Sequence, residues 1–84
     1  MLVPQTYMVS NHHSPEDCLR MDAGINRVGD HLKGQTFYCS CPFGEHGFLM
    51  ILEGSSSEEV IEGLPPEWRP GTRAVPLETF KIPT

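Results

Sequence analysis

Hydrophobic and polar positions change period repeatedly along this chain, and each change predicts an element. Residues 5–11 (QTYMVSN) are rich enough in β-branched and aromatic side chains for a first strand. Behind them Cys18, Met21, Ile25, Val28 and Leu32 recur at spacings of three and four, which makes one apolar helical face over four turns. The start of that helix is well marked. Ser14 suits the N-cap, Pro15 the first helical position, and Glu16 and Asp17 the positive end of the dipole. Gly24 and Gly29 weaken it by about 1 kcal/mol each relative to alanine, and Gly34 suits the position just past its end. Residues 35–41 then predict a second strand, with Phe37, Cys39 and Cys41 on one side and Tyr38 on the other. A turn at Pro42-Phe43-Gly44-Glu45 joins it in a hairpin to a third strand over residues 46–53.

The remainder reads in the same way. Gly54 and three serines lead into a short helix over residues 58–64, where Ser55 or Ser56 caps and Glu58 or Glu59 completes a capping box. Pro65-Pro66 stops it, residues 67–72 form a loop, and residues 73–81 form the last strand. Pro76 places that strand at a sheet edge, because proline has no N–H for a ladder. The order is βαββαβ, an α+β ferredoxin-like sandwich with antiparallel sheet order 4-1-3-2 and both helices on one face. In the third strand Leu49 and Ile51 alternate with Phe48, Met50 and Leu52, so it is apolar on both sides and needs cover on both. A second copy laid sheet to sheet is the simplest cover, which predicts a homodimer.

Composition narrows the function classes. With 84 residues, 38% hydrophobic and 20% charged, the chain reads as one folded domain over residues 1–84. A domain this small buries only about 60–65% of the surface its unfolded chain exposes, so a metal or a partner subunit would add much to its stability. The net charge of −5 and six scattered Lys and Arg argue against nucleic-acid binding. No apolar run nears the roughly 20 residues that span a bilayer. The N-terminal MLVPQTYMVSNHHSP lacks the charged start and apolar core of a secretion signal. Three cysteines, an odd number without disulfide-scaffold spacing, suggest a reducing, cytoplasmic setting with free or metal-bound thiols.

The candidate chemistry follows from the topology. In a 4-1-3-2 sheet the C-terminal ends of strands one and two lie beside the start of strand three. His13 ends the first strand, Cys39 and Cys41 end the second, His46 begins the third, and Cys18 opens the helix leaving the same edge. Five soft or borderline ligands therefore share one rim. A Cys2His2 or Cys3His set matches tetrahedral zinc, and His2Cys with a weak fourth ligand matches a copper electron-transfer site. Cys18 stands near a helix N-terminus, where the dipole favours a thiolate. Cys39-x-Cys41 is a short pair suited to a soft metal and too strained for a comfortable disulfide. Each residue also has a plainer reading: Cys18 as a small core residue, Cys39 and Cys41 as ordinary strand positions, His46 as a capping histidine. What separate plain roles would not require is every cysteine at one rim.

Other residues carry less. Trp68 and Arg69 suit a lid over a ligand pocket, or Trp68 plugs the core or a dimer seam. Glu16 and Glu45 are near enough to the rim to orient imidazoles, or are simply solvated. Tyr7 and Tyr38 suit a barrel interior, His12 reads as a surface residue, and His31 belongs to the far end of the helix.

Three segments also carry a resemblance. His13-Ser14-Pro15-Glu16-Asp17-Cys18, Cys41-Pro42-Phe43-Gly44-Glu45-His46-Gly47 and Leu64-Pro65-Pro66-Glu67-Trp68-Arg69 resemble a family of small bacterial and archaeal proteins. That family has a His-x-Pro-Glu-x-Cys helix start, a Cys-x-x-Gly-Asp-His hairpin and a Leu-Pro-Pro stretch before the last strand. The resemblance covers nearly the whole chain and implies a dimeric α/β barrel. It is similar in fold and size to small nickel-binding proteins and to muconolactone-isomerase-like and antibiotic-monooxygenase-like barrels. By position it picks out His13, Cys18, Cys41 and His46; Glu45 stands where the family has Asp, and Cys39 is additional.

The function expected from all of this is transition-metal binding through Cys18, Cys41 and His46, with His13 as fourth ligand and Cys39 as the alternate. Zinc and copper rank ahead of nickel. Sensing, storage or electron transfer fits better than hydrolysis, because four protein ligands leave no position for water. The alternative is an enzyme, an isomerase or oxidoreductase, that holds a small organic molecule between sheet and helices. Cys18 would then be its reactive thiol and His46 or His13 the base. A dimerisation module with incidental cysteines is the third reading.

Overall fold

A computed structural model describes residues 4–83; Met1–Val3, part of the N-terminal stretch read above for a secretion signal, lie outside the described residues. Four strands, β1 (Gln5–His12), β2 (Tyr38–Cys39), β3 (Gly47–Gly54) and β4 (Thr72–Leu77), alternate with two helices, α1 (Cys18–Ile25) and α2 (Ser57–Glu62), in the order βαββαβ. The sheet runs β2-β3-β1-β4 with every pair antiparallel, which is the expected 4-1-3-2 order read from the other edge.

Period-2 alternation decides which side of the sheet is covered. Tyr7, Val9 and Asn11 of β1 lie opposite Leu52, Met50 and Phe48 of β3, and all six are buried. Met21 from α1, Val60 from α2, and Leu32, Leu64 and Trp68 from the connections close over this face to form the core. The indole of Trp68 packs at 5.1 and 5.4 Å, centroid to centroid, from Phe37 and Phe48, and its N–H donates to the Met21 carbonyl at 2.7 Å. Trp68 is therefore a core plug and not a lid. The opposite face of β3 is less covered, with Ile51 45% exposed.

Several expectations need correction. The four-turn helix is instead a 3₁₀ turn at Pro15–Asp17, the eight residues of α1, and a separate 3₁₀ turn at Asp30–Leu32. The sequence Gly24-Ile25-Asn26-Arg27-Val28-Gly29 explains the break, since two glycines, an asparagine and two β-branched residues are all poor helix formers. Ile25 is left 51% exposed, whereas Met21 and Leu32 keep their predicted burial. Ser14 has the extended backbone of an N-cap, but its hydroxyl donates to the Asp17 carboxylate. The second strand pairs over only two residues, because the chain winds into a 3₁₀ turn at Cys41–Phe43, where Pro42 offers no N–H to a ladder. The loop after Pro65 contains a further 3₁₀ turn, Pro66–Trp68, and β4 ends at Leu77, short of residue 81. The second helix is capped as expected: Ser56 accepts from the Glu59 N–H at 3.1 Å. Pro76 lies on an edge strand, β4 being paired only with β1. Among the described residues no helix is long and apolar enough to cross a membrane.

Candidate metal centre

Four side chains meet where the C-terminal end of β1 adjoins the start of β3. His13 follows β1 directly, and its N–H donates to the His46 carbonyl at 3.1 Å, extending the β1–β3 ladder past its last pair, His12 with Gly47. A side chain at position 47 would run into the Asn11 carbonyl, so glycine is needed for this close approach. The 3₁₀ turn Pro15–Asp17 carries the chain back over the rim and sets Cys18 as the first residue of α1. Cys41 opens the turn at the hairpin tip, where Gly44 adopts the left-handed φ of 91° that reverses the chain. The Ser40 N–H donates to the Gly47 carbonyl at 3.3 Å and its hydroxyl to the Glu45 carbonyl, so both sides of the tip are tied.

One donor atom from each of His13, Cys18, Cys41 and His46 lies within 4.8 Å of the other three. The His13 Nε2 is 3.3 Å from the Cys18 Sγ and 3.3 Å from the Cys41 Sγ, and the Cys18 Sγ is 2.8 Å from the His46 Nδ1. A tetrahedral ion with metal–sulfur near 2.3 Å and metal–nitrogen near 2.0–2.1 Å requires ligand–ligand edges of roughly 3.3–3.8 Å. The cluster matches that size closely enough for small rotations of the side chains to complete it. This His2Cys2 set could hold a transition-metal ion.

The surroundings of the imidazoles suit ligation. Burial pushes the pKa of His13 below its ordinary 6.5, and the neighbouring His46 and Arg20 push the same way against Asp17 and Asp22. A neutral imidazole is the form that binds metal. The same shift has a consequence for the metal-free protein. Because the unfolded chain takes up a proton at His13 more readily than the folded one, this residue's stability contribution is present above about pH 6.5 and falls as the pH drops through the lowered folded value. The urea midpoint of the metal-free protein should therefore fall between about pH 7.5 and pH 5, and less steeply in His13→Gln. Equal slopes in the two proteins would count against it.

Not every expected residue joins the cluster. Cys39 is exposed, and its thiol lies outside the four-atom group. Partial desolvation pushes its pKa above the usual 9.0, with the Cys41 thiol and Asp22 acting the same way against a hydrogen bond with the Cys41 backbone. It lines, with Met21, Ile25, Phe37 and Phe48, a cavity of about 180 Å³ beside the cluster. Glu16, Glu45 and His12 are exposed, and the His31 Nε2 pairs with the Gly63 carbonyl at 2.9 Å, away from the site. The residue that the sequence reading passes over is Asn11, whose Oδ1 is 2.8 Å from the His13 Nδ1. Its signal was present: the alternation Tyr7, Val9, Asn11 points an amide into the core, and buried amides need partners.

Neither protein-family models, curated proteins nor solved structures give a match to this chain, so it is the chemistry of these four ligands that speaks to function.

Proposed function

We propose that this chain is a small transition-metal-binding protein whose ion is held by His13, Cys18, Cys41 and His46. The observation that carries this reading is the convergence of two thiols and two imidazoles, from four separate points of the chain, on a space of tetrahedral size. Two sulfur and two nitrogen donors favour zinc or copper, with nickel next. Four protein donors fill a tetrahedral ion, which favours sensing, storage or electron transfer over hydrolysis. The setting we propose is the reducing cytoplasm, where thiols stay available as ligands. The protein acts as a homodimer, its open sheet faces together in the manner of a dimeric α/β barrel. Supporting this is the run of Met8, Tyr38, Leu49, Ile51, Val75 and Leu77 on the face opposite the core.

Native mass spectrometry with elemental analysis, on untagged protein purified anaerobically without chelators, tests the reading. About one zinc, copper or nickel per chain is expected, retained in Cys39→Ser and lost in Cys41→Ser. Protein that is isolated without metal and fails to take up any of the three when they are added would overturn it.

A second reading has its own support. The Cys18 Sγ lies 2.8 Å from the His46 Nδ1, the separation of a thiol from its base, and the 180 Å³ apolar cavity adjoins it. A cofactor-free isomerase or oxidoreductase acting on a small organic molecule would use this pair. Iodoacetamide distinguishes the two: added zinc slows alkylation of Cys18 if it is a ligand and leaves it unchanged if the thiol works alone.

A further inference from the structure

Asn11 is the buried polar side chain of the core among the described residues, 1% exposed, and every hydrogen-bonding position of its amide is defined. Its Nδ2 lies 2.9 Å from the Pro70 carbonyl, 2.8 Å from the Thr72 hydroxyl oxygen and 3.5 Å from the Trp68 carbonyl. Carbonyl oxygens only accept. The single proton of Thr72 is donated to the Trp68 carbonyl, so toward Asn11 its oxygen also accepts. The side of the amide facing Pro70 and Thr72 is therefore the NH2, and the side facing His13 is the carbonyl.

That assignment fixes a proton on the next residue of the network. The Asn11 Oδ1 sits 2.8 Å from the His13 Nδ1 and can only accept, so the Nδ1 carries the hydrogen. The Nε2 is then left with a bare lone pair, directed at the Cys18 and Cys41 sulfurs 3.3 Å away. Imidazole free in water favours the opposite tautomer. We infer that Asn11 is a positioning residue of this centre, holding His13 as the Nδ1–H tautomer and so committing it to ligation through Nε2. The effect on metal affinity rests on the function proposed above, whereas the tautomer does not. Asn11 also takes its orientation wholly from the Trp68–Thr72 segment, which supplies no ligand. The last third of the chain thereby helps set a metal site whose ligands all precede it.

Two-bond proton–nitrogen correlation spectra of the metal-free protein, above the titration of His13, read the tautomer directly. The Nδ1–H form should dominate in the wild type and give way to Nε2–H in Asn11→Leu. Zinc competition titrations should show Asn11→Leu weaker by about 10–100-fold, the usual cost of losing an outer partner. A role in folding alone would lower stability without moving the tautomer. The inference is overturned if wild-type His13 is found as Nε2–H, or if folded Asn11→Leu keeps the Nδ1–H form. Should Asn11→Leu fail to fold, the wild-type spectrum still decides. A wild type that shows Nδ1–H but binds no metal would overturn the proposed function and leave Asn11's control of the tautomer standing.

Discussion

Cys41→Ser and His46→Ala will each lower zinc affinity by well over the roughly 10–100-fold that an outer partner is worth, and will abolish most of the thermal stabilisation that zinc gives. A serine hydroxyl is a poor ligand for the soft and borderline ions this set favours, and alanine is none. The effect on stability is large because the domain is small. At the usual 0.05–0.15 kcal/mol per residue, 84 residues imply a total of about 4–13 kcal/mol. An ion present at a thousand times its dissociation constant, binding only the folded form, adds about 4 kcal/mol. At about 4–8 °C per kcal/mol for a domain of this size, zinc should raise the wild-type Tm by roughly 15–30 °C. In the metal-free state Cys41 is only half-buried, so metal-free Cys41→Ser should melt within a few degrees of the metal-free wild type. Calorimetric scans with and without a chelator separate these effects. A variant that keeps the wild-type shift would remove its residue from the ligand set.

Trp68→Ala should cost about 3–5 kcal/mol, a large share of the stability of a domain this size. Trp68 is 2% exposed and joins three parts of the molecule. Its ring packs on Phe37 and Phe48, its N–H bonds the Met21 carbonyl inside α1, and any side chain at Gly24 would overlap it. Alanine would leave a void with walls from the sheet, the helix and the β2 approach, and a helical carbonyl without its donor. Trp68→Phe should be milder, losing chiefly that bond at about 1–2 kcal/mol. Urea titrations measure both. If Trp68→Ala cost under about 1 kcal/mol, the indole would not be the plug described.

Much of the fold was legible because it is written in short periods. β-rich runs, turn signals and helix caps mark the order βαββαβ, and from the 4-1-3-2 order the shared rim of His13, Cys18, Cys41 and His46 follows, whereas β3, apolar on both sides, did not declare which face is buried. What was not legible depends on pairing with distant atoms. Helix periodicity through Ile25 and Val28 suggested a continuation, but nothing in spacing shows that Gly24 is taken up by Trp68 or that the chain uncoils behind it. The strand pattern of Phe37, Cys39 and Cys41 did not reveal that the turn opening at Cys41 would carry this thiol into the cluster and leave that of Cys39 outside it. Asn11 escaped notice for a related reason. Its role lies in acceptors at Pro70 and Thr72, some sixty positions further along the chain.

The brevity of β2 has a consequence for the order in which the molecule comes apart. Tyr38 and Cys39 alone pair with β3, so the hairpin tip is held to the body by a short stretch of ladder and by whatever engages the Cys41 sulfur. Local opening begins where backbone bonds are few and exposed, and this excursion is such a place. Without an ion, amide exchange at residues 38–44 will run ahead of that in the β1–β3 centre. With one bound, the tip could open only by breaking a metal–sulfur bond at Cys41, so exchange there should slow toward that of the strands on which His13 and His46 are mounted.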